Sequence, residues 1–197
     1  MPMTSSAQLA DTNVEAVALA ILTWIVYPLW LAAGLGDLWC HRRTSIETTA
    51  GPIESALHVA QLAVVGLAVL AYLLLEITTA VLLAMAVLFA LHSALAFTDV
   101  SYTDSRRHIS ALEQQVHAYM EVLPWTSLAL VAILHPQAIT AVSWAVHRKQ
   151  ESLPGPVLAA VLVPAVLFAV IPVTAELILT LRHPISPRAS YGRAASA

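Results

Sequence analysis

Long apolar stretches separated by short polar punctuation make up this chain. A helix that crosses a bilayer needs about 20 mostly apolar residues. Five stretches reach that length, given some tilt: 14–38, 55–75, 77–98, 116–134 and 156–181. The second and third meet at Leu75-Glu76-Ile77-Thr78, a junction so short that the two must form a helical hairpin. Residues 137–147 are apolar on one side and too short to span, which predicts a helix lying in the interface. Residues 1–12 lack a positive start and the first apolar run is span-length, so no cleavable leader is expected. Pro28, Pro124, Pro164 and Pro172 fall inside spans, where membrane helices accommodate them with local kinks. The predicted fold is all-α: a polytopic membrane helix bundle of about five transmembrane helices. It forms one domain over 1–183, followed by a disordered cytoplasmic tail over 184–197.

Composition agrees with this picture. The chain has 197 residues, 59% of them hydrophobic and only 11% charged. A disordered chain needs the opposite balance, and a soluble domain carries about 25% charged residues. The formal net charge is −3, so no basic surface invites nucleic acid. Cys40 is the single cysteine, which excludes an internal disulfide and a cysteine zinc cluster. Lys and Arg in short loops set orientation. Arg42, Arg43, Arg106, Arg107, Arg182, Arg188 and Arg193 follow odd-numbered spans and fall on one side; Arg148 and Lys149 fall on the other. The larger group predicts the cytoplasmic face and puts the N-terminus outside.

The remaining ionisable residues are not scattered. A charge deep in a bilayer costs about 2.5–3.5 kcal/mol on insertion scales, so it persists when paired, liganded or facing a cavity. Two blocks hold most of them. One runs from Asp37 through His41 and Glu47 to Glu54 and His58; the other holds His92, Asp99, His108, Glu113, His117 and Glu121. Asp37 and His41 are four apart, as are Glu54 and His58, so each pair shares a helix face. His92 and Asp99 are seven apart. Glu113, His117 and Glu121 form an i, i+4, i+8 stripe. In an up-down-up-down bundle, these four helix ends lie on the same side of the membrane.

Imidazoles and carboxylates converging from four helices are the chemistry of a metal site. The candidate ligands are Asp37, His41, Glu54, His58, His92, Asp99, Glu113, His117 and Glu121. They suit iron, manganese or zinc, and they outnumber the needs of one ion, which predicts two. No residue is singled out as catalytic, and no flavin, haem or nicotinamide fingerprint is present. Two plainer readings compete: solvated polar helix ends, and an internal salt-bridge lattice in which the Arg pairs neutralise the acids. The lattice accounts for Glu47 and Asp104, and extends to Asp99, but leaves His58, His92 and His117 without a role. Glu47 and His108 read as loop groups, and the Arg pairs as topology signals. Glu176 in the fifth span reads as a snorkelling side chain. His135, His147 and His183 fall outside the cluster, and nothing supports a nucleophilic role for Cys40.

The blocks 37–47 (Asp-Leu-Trp-Cys-His-Arg-Arg-Thr-Ser-Ile-Glu) and 113–121 (Glu-Gln-Gln-Val-His-Ala-Tyr-Met-Glu) resemble a family of small bacterial integral membrane proteins without an assigned substrate. The resemblance covers about residues 35–125 and implies the bacterial cytoplasmic membrane. In architecture alone the chain also resembles di-iron carboxylate helix bundles, although its spacing is Glu-x-x-x-His where theirs is Glu-x-x-His. This implies a four-helix metal-binding core with the fifth span packed outside it. The expected function is a dimetal, iron-containing membrane oxidoreductase of hydroxylase or desaturase type. It would act on a lipid or other hydrophobic small molecule, with electrons from another protein. The alternatives are a zinc-dependent membrane hydrolase and a non-enzymatic metal-binding protein. Small-residue runs such as Ala159-Ala160 permit an oligomer.

Overall fold

The structure is a computed structural model that describes residues 6–183; the tail expected over 184–197 lies outside the described residues. Five helices are long and apolar enough to cross a membrane, and they pack into a bundle. We label their spans α1 (Asn13–Thr44), α2 (Pro52–Leu74), α3 (Thr79–Asp104), α4 (Ala111–Leu134) and α6 (Gly155–Arg182). A single turn, α5 (Gln137–Thr140), lies between the last two.

The starts of α2, α3 and α4 have local causes. Gly51 stands at φ +73°, a region that side chains avoid. Its freedom reverses the chain after a 3-10 turn at Ile46–Thr48, and Pro52 then opens α2 with its φ already helical. Thr78 caps α3 and Ser110 caps α4, each side chain accepting a backbone N–H three residues on. The hairpin expected at 75–78 is present, and α2 and α3 pack along each other around Val65, Ala68, Val81, Met85 and Phe89.

The prolines act in two ways. A proline lacks the N–H that the carbonyl four residues earlier would accept. Trp24 precedes Pro28 by four, and Phe168 precedes Pro172 by four. Both sit in π-helical turns, Leu22–Val26 and Val166–Val170, where the wider winding absorbs the mismatch. Pro124 leaves α4 regular but frees the Met120 carbonyl.

The interfacial helix expected over 137–147 is confined to α5. Beyond it the chain runs extended against the α2–α3 turn. Leu75 bridges Arg148, Glu76 N–H donates to His147 O (3.0 Å), and Thr78 Oγ1 donates to Ala145 O (2.8 Å). The open backbone of this turn offers partners that a helix, bonded within itself, could not use.

Candidate metal centre

The polar residues converge at one depth. Asp37 lies seven residues before Thr44, His58 six after Pro52, and Asp99 five before Asp104. His117 lies six after Ala111, and Glu176 six before Arg182. At about 1.5 Å per residue, all five sit roughly 8–11 Å inside the same end of the bundle. The four-helix convergence expected from spacing is therefore present, and the fifth span joins it.

His41 is the centre of the cluster and is 1% exposed. Its Nδ1 is 3.0 Å from Glu176 Oε2. Its Nε2 has no hydrogen-bond partner. Three carboxylate oxygens surround that nitrogen: Asp37 Oδ1 at 3.4 Å, Glu54 Oε1 at 3.6 Å and Glu113 Oε1 at 3.7 Å. These separations exceed hydrogen-bond length. They match the edge of a tetrahedron of ligands about 2.0–2.1 Å from a shared cation, which is roughly 3.4 Å. Asp37, His41, Glu113 and His117 offer ligand atoms that all lie within 4.8 Å of one another, and so do His41, Glu54 and His58. These residues fit a metal ion.

The surrounding contacts orient the imidazoles. Glu176 bridges His41 Nδ1 and His58 Nδ1 (3.3 Å), and the two rings stack at 4.6 Å, nearly parallel. His58 Nε2 donates to Asp99 Oδ2 at 2.8 Å, where Gln61 Nε2 also donates (3.3 Å). Both ring nitrogens of His58 are thus engaged by carboxylates, and one of them must be freed for it to act as a ligand. His117 Nε2 donates to Asp37 Oδ1 at 2.7 Å, and its Nδ1 is unpartnered. His92 Nε2 donates to Met120 O at 3.3 Å, the carbonyl that Pro124 frees, and its Nδ1 is likewise unpartnered. Ligand histidines characteristically give their second N–H to a carboxylate or backbone carbonyl in this way.

Arg107 corrects the reading of the arginine pairs. The turn after α3, held by Thr103 O accepting from both Arg106 N and Arg107 N, carries the Arg107 side chain inward. It forks onto two acids: Nη2 lies 2.5 Å from Glu54 Oε1 and from Glu113 Oε1, with Nη1 and Nε on the second oxygens. The two carboxylates hold its guanidinium charged, well above its ordinary range. Arg42, Arg43 and Arg106 stay exposed.

Glu176 corrects a second expectation. It does not snorkel: it is 6% exposed and bonds two histidines, so α6 supplies part of the site instead of packing outside it. The available signal was its place six residues before the end of an otherwise apolar span, the same depth as His58 and His117. Of the other expected ligands, Asp37, Glu54, Asp99 and Glu113 are buried in the cluster. Glu121 is exposed and turned from His41, as the third member of its stripe, though it lines a neighbouring cavity. His92 lines that cavity and lies outside both groups of ligand atoms. Glu47 and His108 take no part in these contacts. The charge balance is uneven. Asp37, Glu54, Asp99, Glu113 and Glu176 are five buried carboxylates, and Arg107 is the buried guanidinium that faces them.

An apolar groove reaches this cluster. Trp30, Leu31, Phe168, Pro172 and Val173 line it between α1 and α6, and it ends on Asp37, His41, His58 and Glu176. Neither a protein-family model, nor a curated protein, nor a solved structure matches the chain.

Proposed function

We propose that this protein is an integral membrane metalloenzyme holding two divalent ions, iron foremost, and oxidising a hydrophobic substrate. The observation that carries the reading is His41 Nε2, buried, unpartnered and encircled by three carboxylate oxygens at 3.4–3.7 Å. Charge supports the count. Against five buried carboxylates and one guanidinium, two divalent ions bring the cluster to neutrality with every imidazole uncharged. Uncompensated buried charge is otherwise costly.

Asp37, His41, Glu54, Glu113 and His117 would hold the ions, with His58 joining once one of its ring nitrogens is freed; Glu176 orients two of the imidazoles. Bound iron supplies the capacity to activate oxygen. The groove lined by Trp30 and Phe168 admits an apolar chain from the bilayer and excludes water from the cluster. Hydroxylation would place one atom of O₂ in a C–H bond and reduce the other to water. The two electrons come from a separate donor protein and the two protons from solvent. The exposed arginines at the cluster end favour the cytoplasmic face of a bacterial inner membrane for it. Arg107, being buried, no longer counts toward that bias.

A second reading rests on Arg107. Its forks onto Glu54 and Glu113 also suit a metal-free ion-pair lattice. Elemental analysis of detergent-purified protein, beside a Glu113→Ala/His117→Ala variant, separates the two. About two irons per chain, lost in the variant, is the expected result, and oxygen-dependent lipid products follow as the assay. Two zincs would replace oxidation by hydrolysis. Folded protein that stays metal-free when iron and zinc are offered would leave only the lattice.

A further inference from the structure

Along α1 the groove is lined by Trp30, Gly34, Asp37 and His41, spaced i, i+4, i+7 and i+11 on one helix face. The other polar side chains of the lining, among them Asp37, His41, His58, Gln61, His92 and Glu176, each keep at least one hydrogen bond within the protein. Trp30 keeps none: its indole Nε1 is buried and has no partner among the described residues. We infer that the substrate is an uncharged, bilayer-dissolved molecule whose carbonyl, ether or hydroxyl oxygen accepts from Trp30 Nε1–H while its apolar chain runs over Gly34 to the cluster. The inference rests on the proposed function in one respect: the metal cluster at the end of the groove is what makes this ligand a substrate.

Depth narrows the ligand. Trp30 lies fourteen residues before Thr44, and Phe168 across the groove lies fourteen before Arg182, so both stand roughly 21 Å inside the cluster end of the bundle. The hydrocarbon core of a bilayer is about 30 Å thick. Trp30 is therefore too deep for an interfacial belt and beyond the reach of a phospholipid headgroup. Lipid tails offer no acceptor at that depth, and a buried donor without one is costly. Charge excludes ionised heads. An ammonium has no lone pair to take the indole N–H. A carboxylate or phosphate finds no Lys or Arg in the described lining and meets Asp37 and Glu176 further in. An uncharged oxygen satisfies the indole without these penalties. Space agrees with the course of the chain. A Cβ built on Gly34 would meet nothing within 4 Å, so the wall is open between Trp30 and Asp37. Those two residues are seven apart, about 10 Å along α1. That length sets the separation between the ligand's oxygen and the carbon it presents to the cluster.

The test uses full-length protein in phosphatidylcholine nanodiscs, with empty nanodiscs as the blank. Radiolabelled methyl decyl ketone, dodecane and dodecyl phosphate are probes of equal chain length, and bound counts give stoichiometry and affinity. Metal content is measured on the same samples. We expect one saturable ketone per chain, bound about fivefold tighter than dodecane, the worth of one neutral hydrogen bond. Dodecyl phosphate should show no saturable binding. Trp30→Phe should bring the ketone down to the dodecane value and leave dodecane unchanged. Gly34→Leu fills open space, so the variant folds, and both neutral probes should lose their saturable binding. A ketone no tighter than dodecane, or a preference that survives Trp30→Phe, would overturn the inference. So would dodecyl phosphate bound as tightly as the ketone, which would make the groove a site for ionised lipids. Ketone binding that persists in Gly34→Leu would put the ligand outside the groove and overturn it too. Metal-free protein that still prefers the ketone would sink the proposed function and leave this ligand assignment standing. Metal-loaded protein without the preference would do the reverse.

Discussion

Replacing Arg107 by leucine separates a metal site from an ion-pair lattice. Arg107 is 7% exposed, and all of its side-chain hydrogen bonds run to Glu54 and Glu113, which are 1% and 0% exposed. Removing one partner of a buried pair costs about 3–5 kcal/mol, because the orphaned charge remains. In a chain of this size each kcal/mol moves Tm by about 2–4 °C, so the stripped protein should melt about 6–20 °C lower. Metal changes the outcome. The guanidinium occupies Glu54 Oε1 and Glu113 Oε1, the two oxygens that also face His41 Nε2. Arginine and metal therefore compete for the same atoms. By linkage, whatever affinity the metal gains when Arg107 leaves is subtracted from the cost of losing it. The assay is a pair of melting curves, with EDTA and with saturating Fe²⁺ under anaerobic conditions, together with a chelator competition. Arg107→Leu should bind metal at least about tenfold tighter than wild type, which returns about 1.4 kcal/mol of the loss. An equal drop in Tm in both buffers, with no gain in metal affinity, would refute the reasoning.

Other perturbations probe separate contacts. Glu176→Leu deprives His41 Nδ1 and His58 Nδ1 of their shared carboxylate. Metal affinity by chelator competition should fall about 10–100-fold, and an unchanged value would return α6 to a purely structural role. Gly36 faces α4, where an added Cβ would lie 3.3 Å from Val116 Cγ2. Gly36→Leu should cost about 1–3 kcal/mol through overpacking and lower metal occupancy, because it separates Asp37 from His117; full occupancy at reduced Tm would show that the site tolerates the displacement. Pro124→Ala restores the N–H that competes for Met120 O. It should stabilise α4 while releasing His92, read as a higher Tm and a shifted His92 ring signal in NMR; an unshifted ring would detach His92 from its carbonyl anchor.

Periodicity and hydropathy were sufficient for the bundle and for much of the site. Five apolar runs dictate five helices because a backbone in lipid must satisfy its own hydrogen bonds. Same-face spacing placed Asp37 with His41 and Glu54 with His58, because an α-helix repeats every 3.6 residues. Alternation of span direction then brought those ends together. Packing decided the rest. The sequence around Arg107 reads as a loop with a basic pair, and only the turn at Thr103 shows one arginine leaving water for two glutamates. Glu176 stands alone in its span, with no neighbour to betray a partner; its histidines are more than a hundred residues away. Glu121 belongs to the stripe of Glu113 and His117, yet the i+8 position has rotated about 80° from the first by helical geometry, enough to leave His41. Which nitrogen of His92 is free depends on a carbonyl that Pro124 releases on another helix. Helical register is a local property, legible one segment at a time. The pairing of charges is settled only where helices meet, because burial decides which acids need a partner and distance decides which partner they find.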